Sequence, residues 1–427
     1  MTVQVLIIGG GIGGLALAQG LRRAGVDVAV HERDHGVGSR WEGYRIHINP
    51  TGARALHALL PADGWREFLA TRARGGDFGF LTEQLDELVV VEESIMYPGA
   101  TEPAENHYAA DRATLRRVLS SGLDDVVRLD SEFVGYEVRP DGRIEARFAD
   151  GSTAVADLLV GADGPASRVR AQLLPQATPV DAGVVGIAHK IWLDDATRTG
   201  LGRLGTGMNA VQPNAPLFLF TSVFEPPEAT GLRPYLLCAL VARPELLPPD
   251  VTELGRDALR AVVDVLVAGW HPGLRRALAD ADPASRSAVT FSAAPPVPRW
   301  TSGPVTVLGD AIHVMPPIGG LGGNTALRDA HLLSRLLPAV DRGERALVDA
   351  LAEYEAEMRD YGTAAVRYAV EQAGQLLTPG ATATAAARAF FRVCAAVAPL
   401  RRRAFARGWA GPAAARSWER DVVPTAA

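Results

Sequence analysis

The chain has 427 residues, 48% hydrophobic and 22% charged, with a formal net charge of −6. This length buries a large core and predicts two or three domains of an ordinary soluble globular protein, and the acidic balance gives no electrostatic reason to expect nucleic acid or an anionic membrane as partner. The two cysteines, Cys238 and Cys394, stand far apart, which excludes a disulfide framework and a cysteine metal site and fits a reducing cytoplasm.

Residues 3–8 form an apolar run that reads as a strand. Gly9-Gly10-Gly11-Ile12-Gly13-Gly14 follows as a tight turn, and residues 15–24 as a helix. This is the dinucleotide fingerprint in its required strand, turn and helix context. The start lacks the basic flank and cleavage site of a signal peptide, and no apolar run in the chain reaches the ~18 residues of a membrane span. Gly25 ends the helix and residues 26–30 read as a second parallel strand. Glu32 then falls about 20 residues past the glycines, where an acid accepts hydrogen bonds from an adenosine ribose; a plain surface carboxylate is the competing reading. His31-Glu32-Arg33-Asp34-His35 also matches H-E-x-x-H, but on a strand end instead of a helix it loses the zinc geometry, so no metal site is expected.

Residues 77–92 read as a hairpin. Asp111 is placed to cap a helix opening at Arg112, an arginine that taken alone is most often solvated. Residues 133–138 and 144–148 form a hairpin around Asp141-Gly142, and Leu158-Leu159-Val160 is a short buried strand ending in Gly161-Ala162-Asp163-Gly164. Three further strands, at 184–192, 217–224 and 235–241, predict an antiparallel sheet in a separate substrate domain. Phe218, Phe220 and Phe224 share one side of it, as either an aromatic wall for a planar substrate or plain core. Gly186 and Ala188 share a face that leaves room, while His189 on the other face reads as a satisfied core residue.

Three hundred residues after the first turn comes a second, Gly309-Asp310-Ala311-Ile312-His313 running on through Pro316-Pro317-Ile318 to Gly319-Gly320-Leu321-Gly322-Gly323-Asn324. A nicotinamide enzyme needs only the first turn, whereas two imply one long ligand gripped at both ends, which argues for FAD. A helix begins directly after the second turn. Its N-terminus, worth roughly +0.5 of a charge, suits the anionic pyrimidine edge of a reduced flavin. From 347 onward the chain is helical, and 388–407 carries six arginines among aromatic and aliphatic residues. Pro399 interrupts that pattern, so an intramolecular cover for the active site is preferred to a membrane-surface helix.

With these motifs in this order, the chain resembles the single-component flavoprotein aromatic hydroxylases, typified by para-hydroxybenzoate hydroxylase, and within them the polyketide-tailoring hydroxylases and tetracycline-inactivating monooxygenases. The likeness extends to Tyr354-Glu355-Ala356-Glu357-Met358 and Tyr361-Gly362. It departs from the family in reading Ala311-Ile312-His313 for Ala-Ala-His. The resemblance implies an α/β fold: a glutathione-reductase-like, Rossmann-like FAD domain (1–76, 101–175, 286–345), an inserted antiparallel-sheet substrate domain (77–100, 176–285) and a C-terminal helical region (346–427). It implies that Gly9, Gly11 and Gly14 receive the pyrophosphate and Glu32, with Arg33 beside it, the ribose. Arg112 would contact the middle of the cofactor, Asp163 would belong to an Asp-Gly motif serving FAD and nicotinamide, and Asp310 would hold the ribityl chain. Arg40 would approach the flavin, and Pro317, Gly320, Gly322, Gly323 and Asn324 would surround it, with Pro317, Gly322 and Asn324 as the catalytic group. Gly186, Ala188, Phe218, Phe220 and Ile318 are the substrate candidates. The implied activity is NADPH- or NADH-driven hydroxylation by O2 of a polycyclic aromatic molecule through a flavin C4a-hydroperoxide. A reductase or dehydrogenase, a Baeyer-Villiger or epoxidising enzyme, and a non-catalytic flavin binder are the competing readings.

Overall fold

The computed structural model describes residues 3–36, 44–73, 75–97, 102–377 and 380–406. A five-stranded parallel sheet runs in the order Val305–Val307, Leu158–Gly161, Gln4–Ile8, Asp27–His31, Val127–Arg128. Its central strands are buried on both faces, which is why Val5-Leu6-Ile7-Ile8 and Leu158-Leu159-Val160 are continuous apolar runs. Because Val305–Val307 and Gln4–Ile8 both pair with Leu158–Gly161, their carboxyl ends emerge on either side of that strand. The two glycine turns are thereby neighbours at the sheet edge where ligands bind in open α/β folds. The helices they launch, Ile12–Arg23 and Gly322–Asp341, pack against each other.

The second large sheet has seven strands, ordered Ser287–Ala293, Val180–Trp192, Tyr235–Ala242, Leu217–Phe224, Met208–Val211, Phe78–Leu81, Glu87–Val91. It departs from the expected antiparallel sheet at one junction, where Met208–Val211 runs parallel to Phe78–Leu81. Ser287–Ala293, which the sequence reading assigned to the cofactor domain, pairs instead with Val180–Trp192 at this sheet's edge. One face buries Val185, Ile187, Ile191 and Leu219 under the helices Arg256–Leu266 and Pro272–Ala279. The other carries Gly186, Ala188, Phe218, Phe220 and Tyr235 and looks onto the cofactor domain. Two small strands, Arg45–Ile48 and Tyr108–Asp111, pair antiparallel between the two large sheets.

Helix Leu347–Leu376 locks the second turn in place. The Tyr354 hydroxyl donates to the Val307 carbonyl (2.9 Å) and the Tyr361 hydroxyl to Asp329 Oδ1 (2.5 Å). The C-terminal helices Ala381–Ala396 and Ala398–Phe405 meet at a bend of 119°. They lay Phe391, Cys394, Leu400 and Phe405 against Phe78, Phe80 and Val89, so they cover the far end of the second sheet. No single described helix is long and apolar enough to cross a membrane.

Candidate active site

At the first turn, close backbone packing dictates the residue type. Gly9 has φ +111°, and a Cβ on Gly14 would lie 2.0 Å from the Gly9 carbonyl oxygen. Gly11 differs: nothing lies within 4 Å of where its Cβ would be. It precedes a helix whose first turn has no side-chain cap. Open space before uncapped helix amides is a site for a pyrophosphate.

Glu32 is buried and fixed, its Oε2 accepting from the Gly10 amide (2.6 Å) and its Oε1 from that of Asp34 (2.9 Å). Arg116 donates Nε to the Gly10 carbonyl (2.8 Å) and lies 3.4 Å from Glu32. The sequence reading missed it, although it stands one helical turn after Arg112 on the same helix face. Arg33 is exposed. Arg40 lies outside the described residues.

Asp163 behaves differently from the expectation of a cofactor contact. Its carboxylate accepts from Ser167 Oγ (2.5 Å) and from the amides of Arg168 (2.8 Å) and Val169 (3.3 Å), so it is occupied in holding the start of helix Arg168–Leu173. Only its backbone faces the first turn, at Gly9. Arg170, on the same short helix, donates to the Ala311 carbonyl (2.9 Å) and ties this segment to the second turn.

Asp310 is exposed to solvent although protein packs densely around its carboxyl group. Burial raises its pKa above the usual carboxylate value, while His313 and exposed Arg112 pull it down and Asp329 adds to the rise. Its Oδ1 lies 3.6 Å from where a Gly322 Cβ would stand, at the uncapped N-terminus of Gly322–Asp341. Beneath it, the Gly309 amide (2.7 Å) and His313 Nε2 (2.6 Å) converge on Asp329 Oδ2. Burial alone would lower the His313 pKa, but the charge and hydrogen bond of Asp329, with Asp310 behind, turn the net shift upward.

Asn324 is fully buried and its side chain is spent: Oδ1 accepts from the Asn49 amide (2.9 Å), and Nδ2 donates to the carbonyls of His47 (2.8 Å) and Gly320 (2.7 Å). The side chain therefore positions the turn, which leaves the backbone of Asn324 for the catalytic group expected of Pro317, Gly322 and Asn324. Gly320, at φ +65°, would place a Cβ 3.1 Å from that of His47. His47 Nε2 lies 3.1 Å from His107 Nδ1. Burial lowers these pKa values to about 3 and about 2, so both rings stay neutral. Pro317 and Gly319 are exposed, and Gly322 and Gly323 half-buried, along the same opening.

The substrate candidates divide. Ile318 and Phe218 meet in one cluster with Val184, Val241 and Ala373, and half-buried Phe220 borders it. The room expected at Gly186 is filled by the Phe291 ring, 2.5 Å from where a Cβ would be. Ala188 packs near Tyr235 and Tyr44. His189 is core as expected but not satisfied: neither ring nitrogen has a hydrogen-bond partner, and burial lowers its pKa to about 3.

Two glycine turns flanking a carboxylate, set beside an aromatic sheet face, define an FAD-binding oxidoreductase. An "FAD binding domain" family matches residues 256–369 and an "NAD(P)-binding Rossmann-like domain" family residues 7–71. The chain is 30% identical over 344 residues to the 3-amino-4-hydroxybenzoate 2-monooxygenase PtmB3 of Streptomyces platensis, covering 79% of this chain and 80% of that one. It is 31% identical to the dual O-methyltransferase/FAD-dependent monooxygenase elcB of Phaeosphaeria nodorum over 78% of its own length, but spans 40% of that relative. A solved structure from Photorhabdus luminescens, described as an FAD-containing monooxygenase, is 35% identical with a TM-score of 0.79, covering 88% of this chain and 99% of that one. Klebsiella pneumoniae HpxO complexed with FAD and uric acid shares the fold at 23% identity and a TM-score of 0.78, covering 96% of this chain and 98% of that one. The chain belongs to the FAD-dependent monooxygenases, in the group of single-component aromatic hydroxylases, and FAD is its cofactor.

Proposed function

We propose that the protein hydroxylates a polycyclic aromatic small molecule with O2, using NADPH or NADH as reductant, in the cytoplasm. The observation that carries this reading is the placement of Asp310 beside the uncapped helix N-terminus at Gly322, in a second turn whose Leu308 and Ala326 pack against Gly13 of the first, with the aromatic face of the second sheet next to it. The residues fit the cofactor. Glu32 and Arg116 would hold the adenosine end, the amides after Gly11 the pyrophosphate, Asp310 and Arg112 the ribityl chain, and the turn from Pro317 to Asn324 the flavin. Reduced FAD supplies the activation of O2. The protein's part is to aim the Gly322 helix end at developing negative charge, to place the ring by Phe220 and Ile318, and to exclude water with the sheet. A polycyclic substrate is favoured by the breadth of aromatic surface from Phe220 to Trp192. The aminohydroxybenzoate enzyme supports an aromatic one.

The test is oxygen and NADPH consumption by the flavin-loaded protein with and without polycyclic phenols, with peroxide and product mass measured together. Substrate-stimulated consumption with one oxygen atom gained is the expected result. Turnover that continues without oxygen would overturn it in favour of a reductase or dehydrogenase.

A further inference from the structure

The sheet face that looks onto the cofactor domain is apolar except at one patch. Of the 43 basic residues in the chain 42 are arginine, and the single lysine, Lys190, is buried there. Its ammonium stands 4.6 Å from the ring centre of Tyr235, 5.8 Å from that of Tyr44 and 5.9 Å from that of Trp192. Arg45 enters from the opposite side, from the small strand Arg45–Ile48. It is 7% exposed and donates Nη1 to Ser222 Oγ, while its Nε and Nη2 are buried with no hydrogen-bond partner. The Tyr235 hydroxyl, in a residue 3% exposed, is buried close to the Arg45 backbone and donates to no group of the chain.

Strand register brings these groups together. Lys190 is opposite Leu237, and Leu237 is opposite Ser222, so Lys190 and the residue that receives Arg45 lie in one row across three adjacent strands. Two strand spacings put their backbones about 10 Å apart. Tyr235 is two residues from Leu237 and so shares its face. Among the described residues neither cation forms an ion pair with a carboxylate. A cation over aromatic rings recovers part of its desolvation cost, but two buried cations left unpaired are unfavourable. Asp111, opposite Arg45 on the paired small strand, is a chain carboxylate that acts on Tyr235, but it forms no ion pair with either cation, and one carboxylate against two cations leaves the patch net positive, which favours an anion from outside the chain. The rings around it call for a flat, conjugated one.

We propose that Lys190 and Arg45 form an anion subsite of the substrate pocket, which takes an aromatic ring bearing an ionised oxygen group, a carboxylate or a phenolate. Tyr44, Trp192 and Tyr235 frame the ring, and the Tyr235 hydroxyl donates to the anion. The inference rests on the function proposed above, since it assigns the substrate's charge. Arg45 and Lys190 are specificity residues in it, not catalytic ones.

The test is equilibrium binding to the FAD-loaded enzyme without NADPH, read by quenching of flavin fluorescence, so that it is independent of turnover. Two matched pairs serve as probes: a hydroxynaphthoic acid with its methyl ester, and a naphthol, titrated through its ionisation, with its methyl ether. The wild type is expected to prefer one anion over its neutral partner by at least about tenfold, the scale of one buried charge contact. The preferred pair tells carboxylate from phenolate. Lys190→Met should reduce the ratio several-fold, Lys190→Arg should keep most of it, and Arg45→Met should reduce it independently. Should Arg45→Met fail to fold, the two Lys190 variants still decide, with FAD content and Tm as controls. Equal affinity for charged and neutral probes in the wild type would overturn the proposal. So would a preference untouched in Lys190→Met, or a loss confined to NADPH affinity. Substrate-stimulated NADPH and oxygen consumption by the wild type tests the wider reading separately.

Discussion

The two glycine turns do related work by opposite means. The first is held by its own backbone: Gly14 against Gly9, and Gly9 against Ala162, with Glu32 returning to the Gly10 amide. The second is held by side chains from elsewhere, namely Asn324 reaching back to Asn49 and His47, Asp329 gathering Gly309 and His313, and Tyr354 and Tyr361 reaching in from the long helix. A turn fixed by local sterics tolerates little change at its own glycines. A turn fixed by distant hydrogen bonds is weakened from many positions, each by a limited amount.

Substitutions can break or sharpen this contrast. Gly14→Val should have the largest effect, because its side chain would begin 2.0 Å from a backbone oxygen; the expected outcome is no soluble yellow protein, checked by the ratio of flavin to protein absorbance. Asn324→Ala should leave a folded protein destabilised by about 2–4 kcal/mol, since it strands three half-buried hydrogen-bond partners, and thermal unfolding of the apoprotein would show it. If Asn324→Ala were as destructive as Gly14→Val, the second turn would be as locally determined as the first. Asp310→Asn is expected to leave apoprotein Tm unchanged or slightly raised, because it removes a carboxylate whose charged form burial disfavours. It should weaken FAD binding by about 10- to 100-fold, the scale of hydrogen bonds to a charged group. Titration of the apoprotein with FAD separates the two effects.

The smallest effect concerns pH. His313 has a raised pKa, so the stability it gains from Asp329 is fully present below its unfolded value of about 6.5 and is lost as pH rises through the higher folded value. The Tm advantage of wild type over His313→Asn should shrink by about a degree or two between pH 6 and 9. An advantage independent of pH would mean that His313 acts by packing alone.

The same contrast explains what the sequence disclosed. The first turn, the strand at Asp27–His31 and Glu32 follow from local sterics and spacing, and all were legible. Asp310 was pointed to by the family resemblance, since a single aspartate in a second glycine turn has no local pattern of its own. Asn324 was visible by its place beside the glycines, but the positioning work of its side chain was not, because its three backbone partners lie some 275 residues away or across a turn. Gly186 looked open because nothing on its own strand fills the space, whereas Phe291 arrives from the edge strand Ser287–Ala293. Met208–Val211 was overlooked as a strand, being short and carrying Asn209 and Ala210 between glycine- and proline-rich turns. Lys190 needed no structure to be noticed as the sole lysine, but its aromatic surroundings come from three separate segments.

The bent helical pair at 381–405 has a further consequence, and it concerns the colloid more than the catalyst. Glu87–Val91 is the terminal strand of a seven-stranded sheet, and a bare sheet edge with Phe80 and Val89 near it would be a template for another chain. Arg388 bonded to Glu83 and Arg401 bonded to Glu92 pin the two arms of the bend across that end. A chain cut before Ala381 would keep every residue that faces the cofactor and yet be expected to aggregate, its sheet edge uncovered.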